Sequence, residues 1–434
     1  MQQLIDSKDN GLIKIVTGLR RVGKSYLLKT LFKEYLLGEG IRKDHVLIID
    51  LEDRRNKAFR DPDYLLDWVD AQMKDEEQYY IIIDEVQRVD EFVDMLGTLV
   101  GKENADVYVT GSNSHFLSSD IATEFRGRGD EIHVWPLTFK EFMTAYEGDI
   151  VDGWQEYYTY GGLPKILSIK GDDKKATYLR NLYRTVYLSD IYERHDIENK
   201  AEFEELVRIL ASSIGSPVNP TNLANTFKSV KRLNNITDKT IETYIGYLTD
   251  AFLIEKSERY DIKGKKYIGT TPKYYFKDLG LRNAILSFRQ TEENRTRSES
   301  RAKLAWAMPS RSKVGGANHL MENVIYNEMR HRGFLVDVGN VIIRVKNEKG
   351  EWQRVTLEVD FVCNLGSRRY YLQSAYRLPD EEKQKQEKRS LEQIKDSFKK
   401  IVIVGERMKL RRDENGIVLM GVYEFLAEPV LLDA

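Results

Sequence analysis

The stretch GLRRVGKSYLLKT, Gly18 to Thr30, follows the apolar run LIKIVT and flows into a helix-like pattern. Gly18, Gly23, Lys24 and Ser25 fit G-x-x-x-x-G-K-[ST], with the strand before and the helix after that the motif's mechanism requires. Glycines let backbone N–H groups turn inward around an anion, and a helix N-terminus adds partial positive charge. The spacing predicts a phosphate cradle built from Gly18, Arg20, Arg21, Val22, Gly23, Lys24, Ser25 and Tyr26. Lys24 reaches the β- and γ-phosphates and acts in catalysis, and Ser25 coordinates Mg²⁺.

A second run, YYIIIDEVQRV, carries apolar residues straight into Asp84 and Glu85. That places a carboxylate at a strand's C-terminal edge, where a Mg²⁺ beside the cradle sits. Asp84 is the expected metal-side acid and Glu85 the residue that orients and polarises water. This pair points to ATP hydrolysis rather than phosphoryl transfer to another substrate, and the chain lacks the Asn-Lys-x-Asp guanine-reading motif. ATP and Mg²⁺ are therefore the expected ligands. In VYVTGSNS, Thr110, Ser112 and Asn113 are candidates for bonding the γ-phosphate or the water. In EFRGRGDE, Arg126 and Arg128 are candidates for neutralising transition-state charge, within the chain or across a subunit interface.

Four short apolar runs, LIKIVTG, HVLIIDLE, YYIIIDE and DVYVTGS, alternate with longer amphipathic stretches. That alternation predicts an α/β core, a parallel sheet with crossover helices, over residues 1–148. Residues 149–200 read as a helical lid or connector around the turn Gly161 to Pro164. Residues 201–288 carry helical patterns followed by two strand-like runs, the order of a winged helix. Residues 289–317 are rich in Arg, Ser and Glu without sustained period, as in a linker or insert. Residues 318–434 read as a smaller mixed α/β unit.

A chain of 434 residues is long for a single core, so about three domains are expected. With 67 basic and 69 acidic residues the net charge is −2, so any nucleic-acid binding must come from local basic patches. Mean hydropathy is −0.50, the N-terminal stretch lacks a signal peptide's pattern, and no apolar run suits a membrane span. A cytoplasmic protein with no membrane contact is expected. One cysteine, Cys363, excludes an internal disulfide, and the six scattered histidines make no Cys/His zinc pattern.

GLRRVGKSYLL, IIIDEVQ, VTGSNSHFL, RGR followed by WPLTFKEF, and GGLP together resemble prokaryotic AAA-superfamily ATPases whose C-terminal half is a conserved domain of unknown function. The resemblance continues through YYFKDLGLRNAI, ENVIYNEMRHRGFLVDVG and EVDFVCN, nearly the whole chain. It implies a nucleotide-binding core, a winged-helix region and a C-terminal module similar in fold to restriction-endonuclease cores. Lys24, Ser25, Asp84 and Glu85 carry over by motif, and Arg128 stands at the family's Gly-Arg.

Endonuclease cores of this kind use a helix glutamate, a strand aspartate and an acid-x-Lys pair on the next strand to bind Mg²⁺ and activate water. Glu322 fits the first position and Asp360 the second, with Glu358 on the same strand face. The third element fails, because YYLQSAYR offers Gln373 and Ala375; Arg377 reaches that face only through a register shift. The module is expected to be inactive as a nuclease, with Glu322 and Asp360 as buried hydrogen-bonding groups, and to serve binding, including a homo-oligomer or protein partner.

The expected recognition helix, TDKTIETYIGYLTD, has no arginine to pair with guanine. In the wing, Lys256, Arg259, Lys263, Lys265, Lys266, Lys273 and Lys277 alternate with Tyr260, Tyr267, Tyr274 and Tyr275. That pattern suits sequence-tolerant DNA contact, above all through Lys263, Lys265 and Lys266, with some stacking. A solvated basic hairpin in a structural domain is the other reading. The leading expectation is an ATPase acting on nucleic acid. A nucleotide-dependent protein-interaction switch and an ATP-gated nuclease are the alternatives.

Overall fold

The computed structural model describes residues 1–111, 128–231, 236–293, 314–347, 350–428 and 432. The chain forms two compact units, Met1–Pro136 with Thr249–Phe252, and Leu137–Leu248 with Leu253–Ala434. Among the described residues no helix is long and apolar enough to cross a membrane.

The first unit is built on five parallel strands, β1 (Ile13–Thr17), β2 (Val46–Asp50), β3 (Tyr79–Asp84), β4 (Ala105–Thr110) and β5 (Gly129–His133), in the order β2-β3-β4-β1-β5. Every residue of β1 and β3 is buried, as continuous apolar runs in a sheet covered on both faces must be. Alternation sorts them into two cores. Ile13, Ile15, Ile81, Ile83, Val107 and Val109 pack on Leu65 and Val69 of α1 (Pro62–Gln72) and on Leu96 and Leu99 of α2 (Phe92–Val100). Val16, Tyr80, Ile82 and Tyr108 pack instead on Leu28, Phe32 and Leu36, from the helical run that follows the glycine loop. Full burial of each such side chain stabilises by about 1.5–3 kcal/mol. The strand order sets β4 between β1 and β3, so the chain leaves all three at one edge of the sheet.

The second unit contains an eight-stranded mixed sheet in the order β12-β13-β11-β10-β9-β8-β6-β7. Its members are β6 (Ile254–Asp261), β7 (Lys266–Phe276), β8 (Leu335–Lys346), β9 (Trp352–Leu365), β10 (Arg368–Ala375), β11 (Lys399–Val404), β12 (Arg411–Arg412) and β13 (Val418–Gly421). Before it come α3 (Lys200–Ser212), α4 (Pro220–Lys231) and α5 (Asp238–Asp250), so the helices and hairpin expected of a winged helix occur in order. The hairpin is not a free wing, however. β6 pairs in parallel with β8, Arg259 opposite Val338, and the expected separation into two modules is bridged by one sheet. Of the segment expected as a linker, α6 (Leu279–Glu293) and α7 (Val314–His331) take the two ends, and residues 294–313 lie outside the described residues.

Two of the quoted motifs, GGLP and ENVIYNEMRHRG, have structural reasons here. Gly161 has φ 77°, and a Cβ on it would lie 2.4 Å from the Asp278 carboxylate. Asp278 accepts N–H bonds from Gly162 at 2.8 Å and from Leu281 at 2.9 Å, joining the GGLP turn to the start of α6. Burial pushes its carboxyl up to about 6, with those N–H groups, Gly280 and Leu163 pulling the other way. Along α7, Asn323 bonds both the N–H and the C=O of Phe276 at 2.7 Å, and Asn327 bonds the carbonyls of Phe276 and Lys277.

Candidate functional site

After β1 the chain turns over Gly18, φ 136°, and Gly23, φ 108°. A Cβ on Gly18 would lie 2.2 Å from the Val134 carbonyl oxygen, so no other residue fits. Lys24 folds back over the loop, its Nζ donating to the carbonyls of Gly18 at 2.9 Å and Leu19 at 3.0 Å. Burial lowers its pKa to about 8, with Glu85 and Asp84 acting against that shift. The helix then runs from Lys24–Tyr26 through a π-helical stretch, Leu27–Phe32, into Lys33–Gly38.

The ends of β3 and β4 meet this loop. Ser25 Oγ donates to Asp84 Oδ1 at 2.9 Å, and Thr110 Oγ1 donates to the same oxygen at 2.6 Å. Thr110 Oγ1 also accepts the Glu85 N–H at 2.8 Å, so one hydroxyl fixes both acids. Glu85 sits in the left-handed region at φ 59°, and its side chain accepts a bond from the Gln87 amide. Burial raises the Glu85 carboxyl above its usual range, with Lys24 and Gln87 acting against that shift. Lys29 Nζ bonds Asp84 Oδ2 and Asp50 Oδ2, both at 2.7 Å. Ser25 and Asp84 supply hard oxygen donors on adjacent elements, and they fit Mg²⁺.

Of the cradle, Val22 is buried, Arg20 and Gly23 are half-buried, and Arg21 and Tyr26 are exposed. Arg128 is not brought to this site. It precedes β5, whose Gly129 pairs with Ile13 at the start of β1, so it stands at the opposite edge of the sheet, roughly 16 Å from Gly18 at 3.3 Å per residue. That placement favours action on another copy of the chain over a role within the same one. Ser112, Asn113 and Arg126 lie outside the described residues. Lys29, Asp50 and Gln87 were missed by the sequence reading; only the position of Lys29 inside the opening stretch marked it.

His45, Asp75 and Glu77 have the mutual spacing of metal ligands, at the N-terminal ends of β2 and β3. Arg42 lies 3.2 Å from Asp75 and 3.6 Å from Glu77, and it already supplies their counter-charge.

In the second unit Glu322, Glu358 and Asp360 do converge, and a residue read as part of the wing joins them. Lys273 is 2% exposed and bonds Glu322 Oε1 at 2.9 Å and Glu358 Oε1 at 2.8 Å. Asp360 Oδ2 accepts the Ser374 N–H at 2.7 Å, and its carboxyl is pushed well up by burial and by Glu322. Burial also pushes Glu322 up, but Lys273, His319 and Tyr275 outweigh it and hold the carboxyl low. Gln373 Oε1 accepts from the Asp360 N–H at 3.4 Å, Ala375 is buried, and Arg377 is exposed near Glu406. The wing reading is corrected accordingly: Lys273, Lys277, Tyr274 and Tyr275 are buried, whereas Lys263, Lys265, Lys266 and Tyr267 are exposed at the turn.

Residues 10–143 match the family model of an AAA domain, and residues 151–292 match that of a domain of unknown function. An uncharacterised protein of Haemophilus influenzae is 30% identical over 436 residues, covering 99% of this chain and 97% of that protein. The chain belongs to the same family as this Haemophilus protein. A second relative, an uncharacterised protein of Methanocaldococcus jannaschii, is 27% identical over 398 residues, 88% of this chain and 79% of its own length. Among solved structures, a Walker-type ATPase of Pyrococcus abyssi aligns at 14% identity and TM-score 0.48, over 65% of this chain and 93% of that one. The AAA-domain match over residues 10–143 and the parallel sheet give the first unit the α/β fold of an AAA-type P-loop domain.

Proposed function

We propose that the protein binds ATP with Mg²⁺, hydrolyses the γ-phosphate bond and couples nucleotide state to DNA binding. The observation that carries the ATPase reading is the single Asp84 oxygen shared by Ser25 and Thr110, with Glu85 fixed to the same hydroxyl. In this reading Ser25 and Asp84 hold the ion, which when bound neutralises phosphate charge. Lys24 leaves its loop carbonyls for the phosphates, and Glu85 accepts a proton from water. The exposed Lys263, Lys265 and Lys266 support the nucleic-acid part, since lysines at a turn can follow phosphates without reading bases.

Burial of Lys273, Lys277, Tyr274 and Tyr275 leaves less surface for nucleic acid and favours a second reading, a nucleotide-dependent switch that docks a protein partner or another copy of the chain. One experiment separates the two: ATP turnover with and without single-stranded, duplex and branched DNA. Stimulation by any of them supports the first reading. Turnover indifferent to all three supports the second, and absence of turnover overturns both.

A further inference from the structure

The endonuclease-like resemblance implies a divalent cation on Glu322 and Asp360, and these residues do not fit one. Glu322 is committed on both oxygens: Oε1 to Lys273 and to the Tyr275 hydroxyl at 2.6 Å, Oε2 to His319 Nδ1 at 3.1 Å. Glu358 is committed likewise, Oε1 to Lys273 and Oε2 to Arg259 at 3.3 Å. Counter-charge is already present: one ammonium and one guanidinium face two carboxylates. A divalent ion entering here would have to displace an ammonium that is 2% exposed and has no solvent to move into.

The neighbours of Glu322 on α7 point to the same work. Asn323 and Asn327 hold the backbone of Phe276 and Lys277, so three side chains of one helix face grip the end of β7. We propose that the Lys273 ammonium is the built-in cation of this acid cluster, replacing the divalent ion of catalytic cores and converting a metal site into a clasp that ties β7 to α7 and β9. Lys273 comes from a strand outside the endonuclease motif. Its arrival accounts for the tolerance of Gln373 and Ala375, since a clasp needs neither a third ligand nor a catalytic amine.

The probe is Mn²⁺, counted per chain by electron paramagnetic resonance on the full chain without nucleotide, in an Asp84→Asn background that removes the ion expected at the phosphate site. The parent and Glu322→Gln should bind equal numbers of ions. An ion held by the parent and lost in Glu322→Gln overturns the proposal. Lys273→Met should gain one ion per chain, lose it again in Lys273→Met/Glu322→Gln, and unfold at higher temperature with Mn²⁺ than without. A folded Lys273→Met that gains no ion also overturns it. If Lys273→Met fails to fold in any condition, the parent against Glu322→Gln comparison decides alone.

Discussion

Lys29 Nζ lies 2.7 Å from Asp84 Oδ2, on the carboxylate expected to serve Mg²⁺. The same ammonium holds Asp50, so two acids at the ends of β2 and β3 share one counter-charge. Lys29→Met leaves both carboxylates unneutralised. The Mg²⁺ concentration for half-maximal ATP turnover should fall several-fold. A rise would show that Lys29 orients Asp84 for the ion and does not compete with it.

Lys24→Ala should weaken ATP binding by about 10- to 100-fold, the equivalent of roughly 1.5–3 kcal/mol for a charged hydrogen bond. Glu85→Gln should bind ATP as wild type does and turn it over about 10²–10⁴ times more slowly, as for a lost proton acceptor. Calorimetric binding and phosphate release read the two separately. Equal turnover in Glu85→Gln and wild type would remove Glu85 from its role.

Arg128 lies at the edge of the sheet away from Gly18 and Ser25, which favours a catalytic effect on another copy of the chain. Turnover per chain should then climb with protein concentration, and mixing Arg128→Ala with Lys24→Ala chains should restore part of the activity. Concentration-independent turnover by a monomer would rule out action across an interface and leave only a role within the same chain.

Changing Lys263, Lys265 and Lys266 together to Ala should weaken DNA binding similarly for unrelated sequences. Each neutralised phosphate contributes roughly 0.9 to the log–log salt slope on duplex, so the slope should fall by about 2–3. Affinity confined to one sequence, or indifferent to salt, would count against these contacts.

Asp278 gives a pH dependence with a definite sign. Its folded pKa, raised to about 6, lies above the roughly 3.9 of an unfolded Asp, so the native state holds the proton more tightly. Stability from this group is complete below pH ~4 and is lost as pH rises through ~6, by roughly 2–3 kcal/mol. Urea unfolding of wild type relative to Asp278→Asn should show that decline across the window. A flat difference would mean that the N–H groups of Gly162 and Leu281 hold the carboxyl near its ordinary value.

The first unit was legible because burial on both faces demands uniform apolar runs, and because a carboxylate pair after such a run ends a strand where the glycine loop ends another. The distance of Arg128 from the glycine loop was hidden for a different reason. Sequence proximity to the strand motifs carries no information about which end of a parallel strand a residue occupies. The alternation of Lys273, Tyr275 and Lys277 with Tyr274 and Phe276 reads as one wet face and one dry one. Pairing of β6 with β8, Arg259 opposite Val338 79 residues away, and coverage by α7 bury both. No local pattern announces a partner at that distance.

A chain emerging from the ribosome makes β6 and β7 well before β8 exists. At about 5–20 residues per second, a separation of 79 residues leaves the outer edge of β6 open for roughly 4–16 s. During that interval its N–H and C=O groups have no strand to bond, and Lys273 has neither glutamate to meet. An edge in that condition accepts wrong partners, including the same segment of a neighbouring nascent chain. A fragment cut at residue 292, where the match to the domain of unknown function stops, would keep that edge for good. The boundary that sequence similarity draws at this point is therefore no boundary for folding.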